Sequence, residues 1–272
     1  MKRVLTGLIL APAVLALVLL GPRWMIALAV AGVSMLAGWE LLGLAEKCGA
    51  RPPRVAVMLA LAALFSGNFE WPDQTVVLLS AISVALVGYC TVKSPVERML
   101  ADVTSAVFAL FYTGLTLLAL PTLRDSANGP SVVVFLLCAV WAGDISALYV
   151  GRMWGRHKMA PALSPNKTWE GAFGSVLGSV AVTGLLLELG NLLAQWNFMR
   201  LSFADSVWWS WLLMAIVVNV AAQLGDIAES ALKRSAGVKD SGRLLPGHGG
   251  VLDRIDALLL AAPVLWCAQV LR

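Results

Sequence analysis

The sequence predicts an all-α polytopic membrane protein of about nine helices in one bundle, and three observations predict it. Of its 272 residues, 59% are hydrophobic and only 13% are charged, and the mean hydropathy is +0.81. Five uncharged runs, at 4–22, 74–92, 103–123, 126–143 and 206–225, come close to the roughly 20 residues that a helix needs to cross the hydrocarbon core. Eleven Trp against three Tyr suit anchoring at the membrane–water interfaces.

Taken in order, the spans are expected at about 4–20, 24–46, 54–67, 74–92, 100–121, 130–151, 171–189, 206–230 and 252–271, at the lengths that a bilayer sets. The first follows Lys2 and Arg3 and is read as a span rather than a signal peptide, because further spans follow at once. The third is short, which suits a tilted or re-entrant segment. All nine are read as one integral membrane domain, 1–272. With the N-terminus inside, sixteen of the twenty Lys and Arg fall on the inner face. Only Arg23, Arg124, Arg200 and Arg272 fall outside. The positive-inside rule therefore puts the loops at 152–170 and 231–254 in the cytoplasm, the expected setting being a bacterial inner membrane.

The bases punctuate the spans, so a net charge of +4 is no nucleic-acid signal. Cys48, Cys90, Cys138 and Cys267 show no C-x-x-C spacing and no nearby His, which argues against zinc and against a disulfide framework.

One stretch breaks the avoidance of charge. Residues 226–256 hold eleven ionisable side chains in thirty-one positions. Asp226, Glu229, Ser230 and Lys233 recur at i, i+3, i+4 and i+7, one face of a helix. Asp253 and Asp256 repeat the i, i+3 spacing. Between them lie Gly242, Gly247, Gly249 and Gly250, around Pro246 and His248. Glycine there permits tight turns and brings backbone N–H groups close to an anion. Acids at both ends, bases between and a glycine-rich turn suit a metal-bound polyphosphate, because carboxylates hold a hard cation and Lys or Arg neutralises phosphate oxygens.

Residues 230–256 read S-x-L-K-R-x4-K-D-x-G-x2-L-P-x-H-G-G-V-x-D-R-I-D. This resembles the signature of the phosphatidate cytidylyltransferases, the CDP-diacylglycerol synthases. A second block, 141–171, is similar to another of that family's motifs. Its clearest part is Ser164, Pro165, Asn166, Lys167, Thr168, Trp169, Glu170 and Gly171. The family commonly has Thr-Gly or Thr-Ala after the aspartate, whereas Ile145 and Ser146 follow Asp144 here. The earlier spans match in hydrophobic character alone.

The second block also has a reading of its own. Asp144 interrupts an apolar stretch, and a carboxylate at that depth faces a cavity or a partner. Pro165 disfavours helix at Ser164, so a turn is expected, with a helix beginning near Thr168. Lys167 then stands at a helix N-terminus, where N–H groups and a cation together favour phosphate. Taken alone, Lys167 reads more readily as a positive-inside anchor, and Asp144 has the lesser alternative of a polar residue satisfied between helices. Glu40 is a further candidate for lining the site, Glu188 is read as interfacial, and His157 as a solvated loop residue.

The resemblance implies transfer of a cytidylyl group from CTP to phosphatidic acid in membrane lipid, with release of pyrophosphate. It implies that Asp226 and Asp253 ligate Mg²⁺, with or without a second cation. Asp256 and Asp144 help as further ligands or substrate contacts. Lys167, Lys233, Arg234 and Lys239 balance phosphate charge, and Ser230 donates to phosphate or joins the metal. Ser164, Asn166, Asp240, Gly249, Gly250 and Arg254 complete the expected substrate contacts. His248 is expected to contact phosphate or order its turn, with proton transfer the lesser role. No nucleic acid is expected as a partner, and the oligomeric state stays open, a homodimer among the options. Two rivals remain: a related transferase acting on a polyprenol or an ether lipid, and a transporter, whose matched pairs of broken spans are not evident.

Overall fold

The computed structural model describes residues 2–195, 201, 203, 208–242, 244 and 249–271. The described residues are helical at all nine expected spans: α1 (Lys2–Leu20), α2 (Arg23–Lys47), α3 (Arg54–Glu70), α4 (Thr75–Lys93), α5 (Val96–Ala109), α6 (Thr116–Arg124), α7 (Gly129–Trp154), α8 (Trp169–Gln195), α9 (Trp208–Ser235) and α10 (Leu252–Val270). The fifth span contains both α5 and α6, joined without a break by a π-helical turn, Leu110–Leu115.

Among the described residues, six helices are long and apolar enough to cross a membrane, at Arg23–Lys47, Pro72–Lys93, Val96–Arg124, Gly129–Trp154, Trp169–Leu193 and Trp208–Ser235. The chain is therefore an all-α integral membrane protein. The other three fall short for local reasons. α1 contributes the apolar stretch Leu10–Leu20, α3 has 17 residues, and α10 carries Asp253, Arg254 and Asp256 in its first turns. α9, the eighth expected span, outruns the expected end at 230 and continues to Ser235. Asp226 therefore sits more than two turns inside a helix rather than at a span's end.

The chain divides into two compact units: Met1–Arg23, Ala119–Ser230 and Asp256–Arg272 form one, Trp24–Leu118 and Ala231–Ile255 the other. The first is built on the antiparallel neighbours α7 and α8. They approach closely because α8 presents small residues: a Cβ at Gly174 would meet Val150, and one at Gly178 would collide with Ser146. Small residues that let backbones approach are how helices pack where lipid removes the hydrophobic drive. Phe135, Trp211 and Phe203 pack edge to face in the core of this unit, with ring centroids 4.8 and 5.4 Å apart.

Between α7 and α8 the chain forms a two-stranded antiparallel hairpin, β1 (Lys158–Ala160) with β2 (Ser164–Thr168), pairing Lys158 with Thr168 and Ala160 with Ser164. Thr168 caps α8, its hydroxyl accepting from the Gly171 N–H at 3.1 Å, the usual N-cap arrangement. The expected turn is thus a short hairpin, and the helix starts one residue later than the sequence suggested.

The second unit packs α3, α4 and α5 around Leu61, Leu64, Ala106 and Leu110, all fully buried. A Cβ at Gly114 would strike Leu61 and Leu64, so the π turn sits tight against α3. The carbonyl of Thr113 within it accepts from the Ser34 hydroxyl at 2.8 Å. α9 ends inside this unit in a Schellman motif. Val238 N–H donates to Lys233 O, Gly237 N–H donates to Arg234 O, and Gly237 takes a φ of +68°.

Candidate active site

The first unit contains a cavity of about 280 Å³ whose polar wall includes Asp144, Asn166, Lys167, Ser175, Gln223 and Asp226. Each reaches it from a different local cause. Asp144 projects from the middle of α7. Asn166 and Lys167 stand on β2, which the hairpin pairing turns back towards the helices. Asp226 lies on α9. Lys167 Nζ is 2.8 Å from Asp226 Oδ2, with side chains 23% and 38% exposed. Ala147, Leu148, Met159 and Ile227 contribute apolar wall. A polar ladder supports this end of α9. Gln223 Nε2 donates to Asn219 Oδ1 at 2.7 Å and to Ala172 O at 3.2 Å, and Asn219 Nδ2 donates to Ser175 Oγ at 3.0 Å.

The second unit gathers a different cluster around Asp253. Its Oδ1 accepts from Lys233 Nζ at 2.6 Å, and its Oδ2 accepts from Gly250 N at 2.8 Å and from Ser241 N at 3.0 Å, with Ser241 Oγ 2.9 Å away. Both side chains of the ion pair are little exposed, at 13% and 10%. Charge-assisted bonds of this kind are the strong ones. Gly249 takes a φ of +81°, and a Cβ there would lie 2.7 Å from Asp253 Oδ2. Two of the glycines singled out as an anion cradle, Gly249 and Gly250, thus lie against the Asp253 carboxylate.

The remaining candidates are distributed as follows. Ser164 pairs with Ala160 in the hairpin. Ser230 is buried, and Lys239, Asp240 and Arg254 are exposed. Arg234 Nη1 donates to Val238 O at 3.1 Å. Asp256, on the first turns of α10, has its backbone against α9: a Cβ at Gly225 would meet the Asp256 carbonyl at 2.5 Å. His248 and Gly247 lie outside the described residues. His157 is exposed, as expected of a loop residue, but its Nδ1 is 2.6 Å from Glu170 Oε1, and its backbone N–H donates to the same carboxylate. Glu170 therefore ties the hairpin to α8. The expectation for Glu40 changes: it is 5% exposed and bonded to the loop around Asp253. Asn219 and Gln223 carry a signal that the reading of 206–225 as a plain apolar run passed over, two amides at i, i+4 within a span.

These residues suit a hard divalent cation. Among the described residues no three of His, Cys, Asp and Glu gather into a cage. Mg²⁺ needs none, since one or two carboxylates commonly hold it while water and substrate phosphates fill the other positions. Asp226 and Asp253 supply oxygen donors of that kind. Each lies beside a lysine ammonium, at 2.8 and 2.6 Å.

The family model described as "Cytidylyltransferase family" matches residues 1–271. A phosphatidate cytidylyltransferase of Thermotoga maritima is 36% identical over 265 residues, 96% of this chain and 93% of the relative. One from Staphylococcus epidermidis is 36% identical over 212 residues, 77% of this chain and 75% of the relative. One from Brucella melitensis is 46% identical over 158 residues, 58% of this chain. That match spans about half of the Brucella relative's length, 54%. The expected resemblance thus extends from the two motif blocks to nearly the whole sequence, and the chain belongs to the cytidylyltransferase family.

Proposed function

We propose that this protein transfers the cytidylyl group of CTP to phosphatidic acid, giving CDP-diacylglycerol and pyrophosphate. The observation that carries this reading is the cavity of the first unit. Two carboxylates and a lysine face apolar side chains there, inside helices long enough to cross a membrane. A lipid phosphate has that same polarity, an anionic head beside an apolar body. The family and its similarly named relatives support the same substrates.

A phosphatidate oxygen attacks the α-phosphorus of CTP. The bond to the bridging oxygen of the β-phosphate breaks, and pyrophosphate leaves with the electron pair. A phosphomonoester is already ionised at neutral pH, so no general base is required, and catalysis is positioning with charge neutralisation. Lys167 and Lys233 neutralise phosphate oxygens. Asp226 and Asp253 would hold Mg²⁺, which when bound withdraws charge from the phosphates and the leaving group. Asp144 and Asn166 orient the lipid headgroup, while Leu148 and Met159 border its apolar part.

Purified protein given labelled CTP and phosphatidate should form CDP-diacylglycerol and pyrophosphate only with Mg²⁺. ATP should not replace CTP. Product from diacylglycerol or a polyprenol in place of phosphatidate would reassign the lipid. The basic asymmetry further supports a cytoplasmic setting for the chemistry. In cells, single cysteines at Ser235 and Ser164 should be shielded from an impermeant thiol reagent, and one at Gln74 should react. Labelling at Ser235 from outside would reverse that orientation.

A further inference from the structure

Glu40, on α2, is 213 positions from Asp253 and only 5% exposed. A carboxylate this deeply buried has to be hydrogen-bonded. Its Oε1 accepts from Val251 N at 3.1 Å, and its Oε2 accepts from Leu252 N at 2.8 Å. These N–H groups begin α10, where backbone donors lack helical partners and negative charge is favoured. Glu40 Oε2 is also 3.1 Å from Ser241 Oγ, and that same hydroxyl is 2.9 Å from Asp253 Oδ2. A serine hydroxyl has one proton and two lone pairs, so Ser241 bridges the two carboxylates and donates to one of them at a time.

Glycine placement points the same way. A Cβ at Gly242 or at Gly250 would collide with the Glu40 carboxylate. Both ends of the glycine-rich loop therefore lie against Glu40. The donors on Asp253 Oδ2 are Ser241 and Gly250 N–H, from the two segments that Glu40 seats.

We infer that Glu40 is a positioning residue for Asp253. It holds the start of α10 and, through the Ser241 hydroxyl, sets the direction in which the Asp253 carboxylate points. The inference rests on the proposed assignment of Asp253 to the cation. It predicts an effect on cation affinity that a plain helix cap does not.

The test uses the full chain in detergent with Glu40→Gln, Ser241→Ala and Asp253→Asn. Mn²⁺ binding is read from the loss of the free-ion paramagnetic resonance signal, alongside turnover against Mg²⁺ concentration and thermal melting. Glu40→Gln should weaken Mn²⁺ binding by about 10–100-fold and raise the half-maximal Mg²⁺ concentration to match, with the KM for phosphatidate changed by less than ~2-fold, as loss of a residue supporting a metal ligand does. Ser241→Ala, which leaves Glu40 in place, should shift both in the same direction by a smaller factor. Should Glu40→Gln not fold, Ser241→Ala decides. A lowered melting temperature with parental Mn²⁺ affinity would make Glu40 a structural cap and overturn the inference. Asp253→Asn deficient while the other two behave as the parent overturns it too, and leaves the proposed function standing. Asp253→Asn binding Mn²⁺ and turning over as the parent removes the assignment beneath it.

Discussion

Asp226 and Asp253 bound the same charged stretch, 27 positions apart, yet their surroundings differ in kind. Asp226 borders a cavity with its side chain 38% exposed, paired with Lys167. Asp253 is 10% exposed. It is enclosed by the Lys233 ammonium, two backbone N–H groups and the Ser241 hydroxyl. A carboxylate with one partner beside open space can take a cation or release a lysine to phosphate at little structural cost. The bonds on Asp253 Oδ2 fix its orientation before any substrate arrives, which is how an electrostatic contact gains most in a transition state, while Oδ1, with Lys233 as its donor, keeps acceptor capacity for a cation.

The largest expected effects test the shared role. Asp226→Asn and Asp253→Asn should each lower turnover by at least ~10²-fold, the scale of losing one strong transition-state contact. Stability should separate them. An amide at 253 turns donors against donors, so Asp253→Asn should lose about 2 kcal/mol, read as a lower melting temperature in detergent. Asp226→Asn should stay within ~1 kcal/mol of the parent, as expected for a partly exposed pair. Either variant turning over within a few-fold of the parent would end its assignment as a metal ligand.

The lysines give a second contrast. Lys233→Met strands a little-exposed carboxylate and should cost about 3 kcal/mol of stability. Lys167→Met removes a pair open to the cavity and should cost no more than ~1 kcal/mol while still reducing turnover. Equal melting temperatures for the two variants would erase the distinction between the regions.

Much of this was legible in the sequence because it is local. Apolar runs of bilayer length located the helices, and the charged stretch stood out against them. Asp226 and Lys233 were correctly read onto one helix. The end of that helix was read too early because hydropathy falls after 225, whereas the i, i+7 spacing to Lys233 already favoured continuation. The hairpin at 158–168 was hidden because strands of three and five residues are too short to establish a period of two. What no local pattern could show is the Glu40 brace. Its partners, Ser241 and Leu252, are 201 and 212 positions away, and sequence marks it only as one acid in an apolar helix. The hydrogen bonds around Asp253 were missed for a related reason. Glycines beside acids were read as room for a substrate anion, and that reading did not anticipate the bond from the Gly250 N–H to Asp253.

The smallest expected effects come from the glycines at positive φ, and they sharpen the comparison because backbone strain is common to them. At Gly249, φ is +81° and a Cβ would lie 2.7 Å from Asp253 Oδ2. Gly249→Ala should therefore add displacement of that carboxylate to the backbone strain and lower turnover. At Gly237, φ is +68° and, among the described residues, no atom beyond its chain neighbours lies within 4 Å of the Cβ position. Only the left-handed backbone conformation opposes a side chain there, at about 1–2 kcal/mol. Because Gly237 closes the Schellman motif at the end of α9, Gly237→Ala should fray that end and lower the melting temperature slightly. Turnover should fall less than in Gly249→Ala, since the motif holds the backbone carbonyls of Lys233 and Arg234 and not the Lys233 side chain that bonds Asp253. If Gly237→Ala lowered turnover as far as Gly249→Ala does, strain in the loop would account for both, and the close approach to Asp253 would lose its special standing.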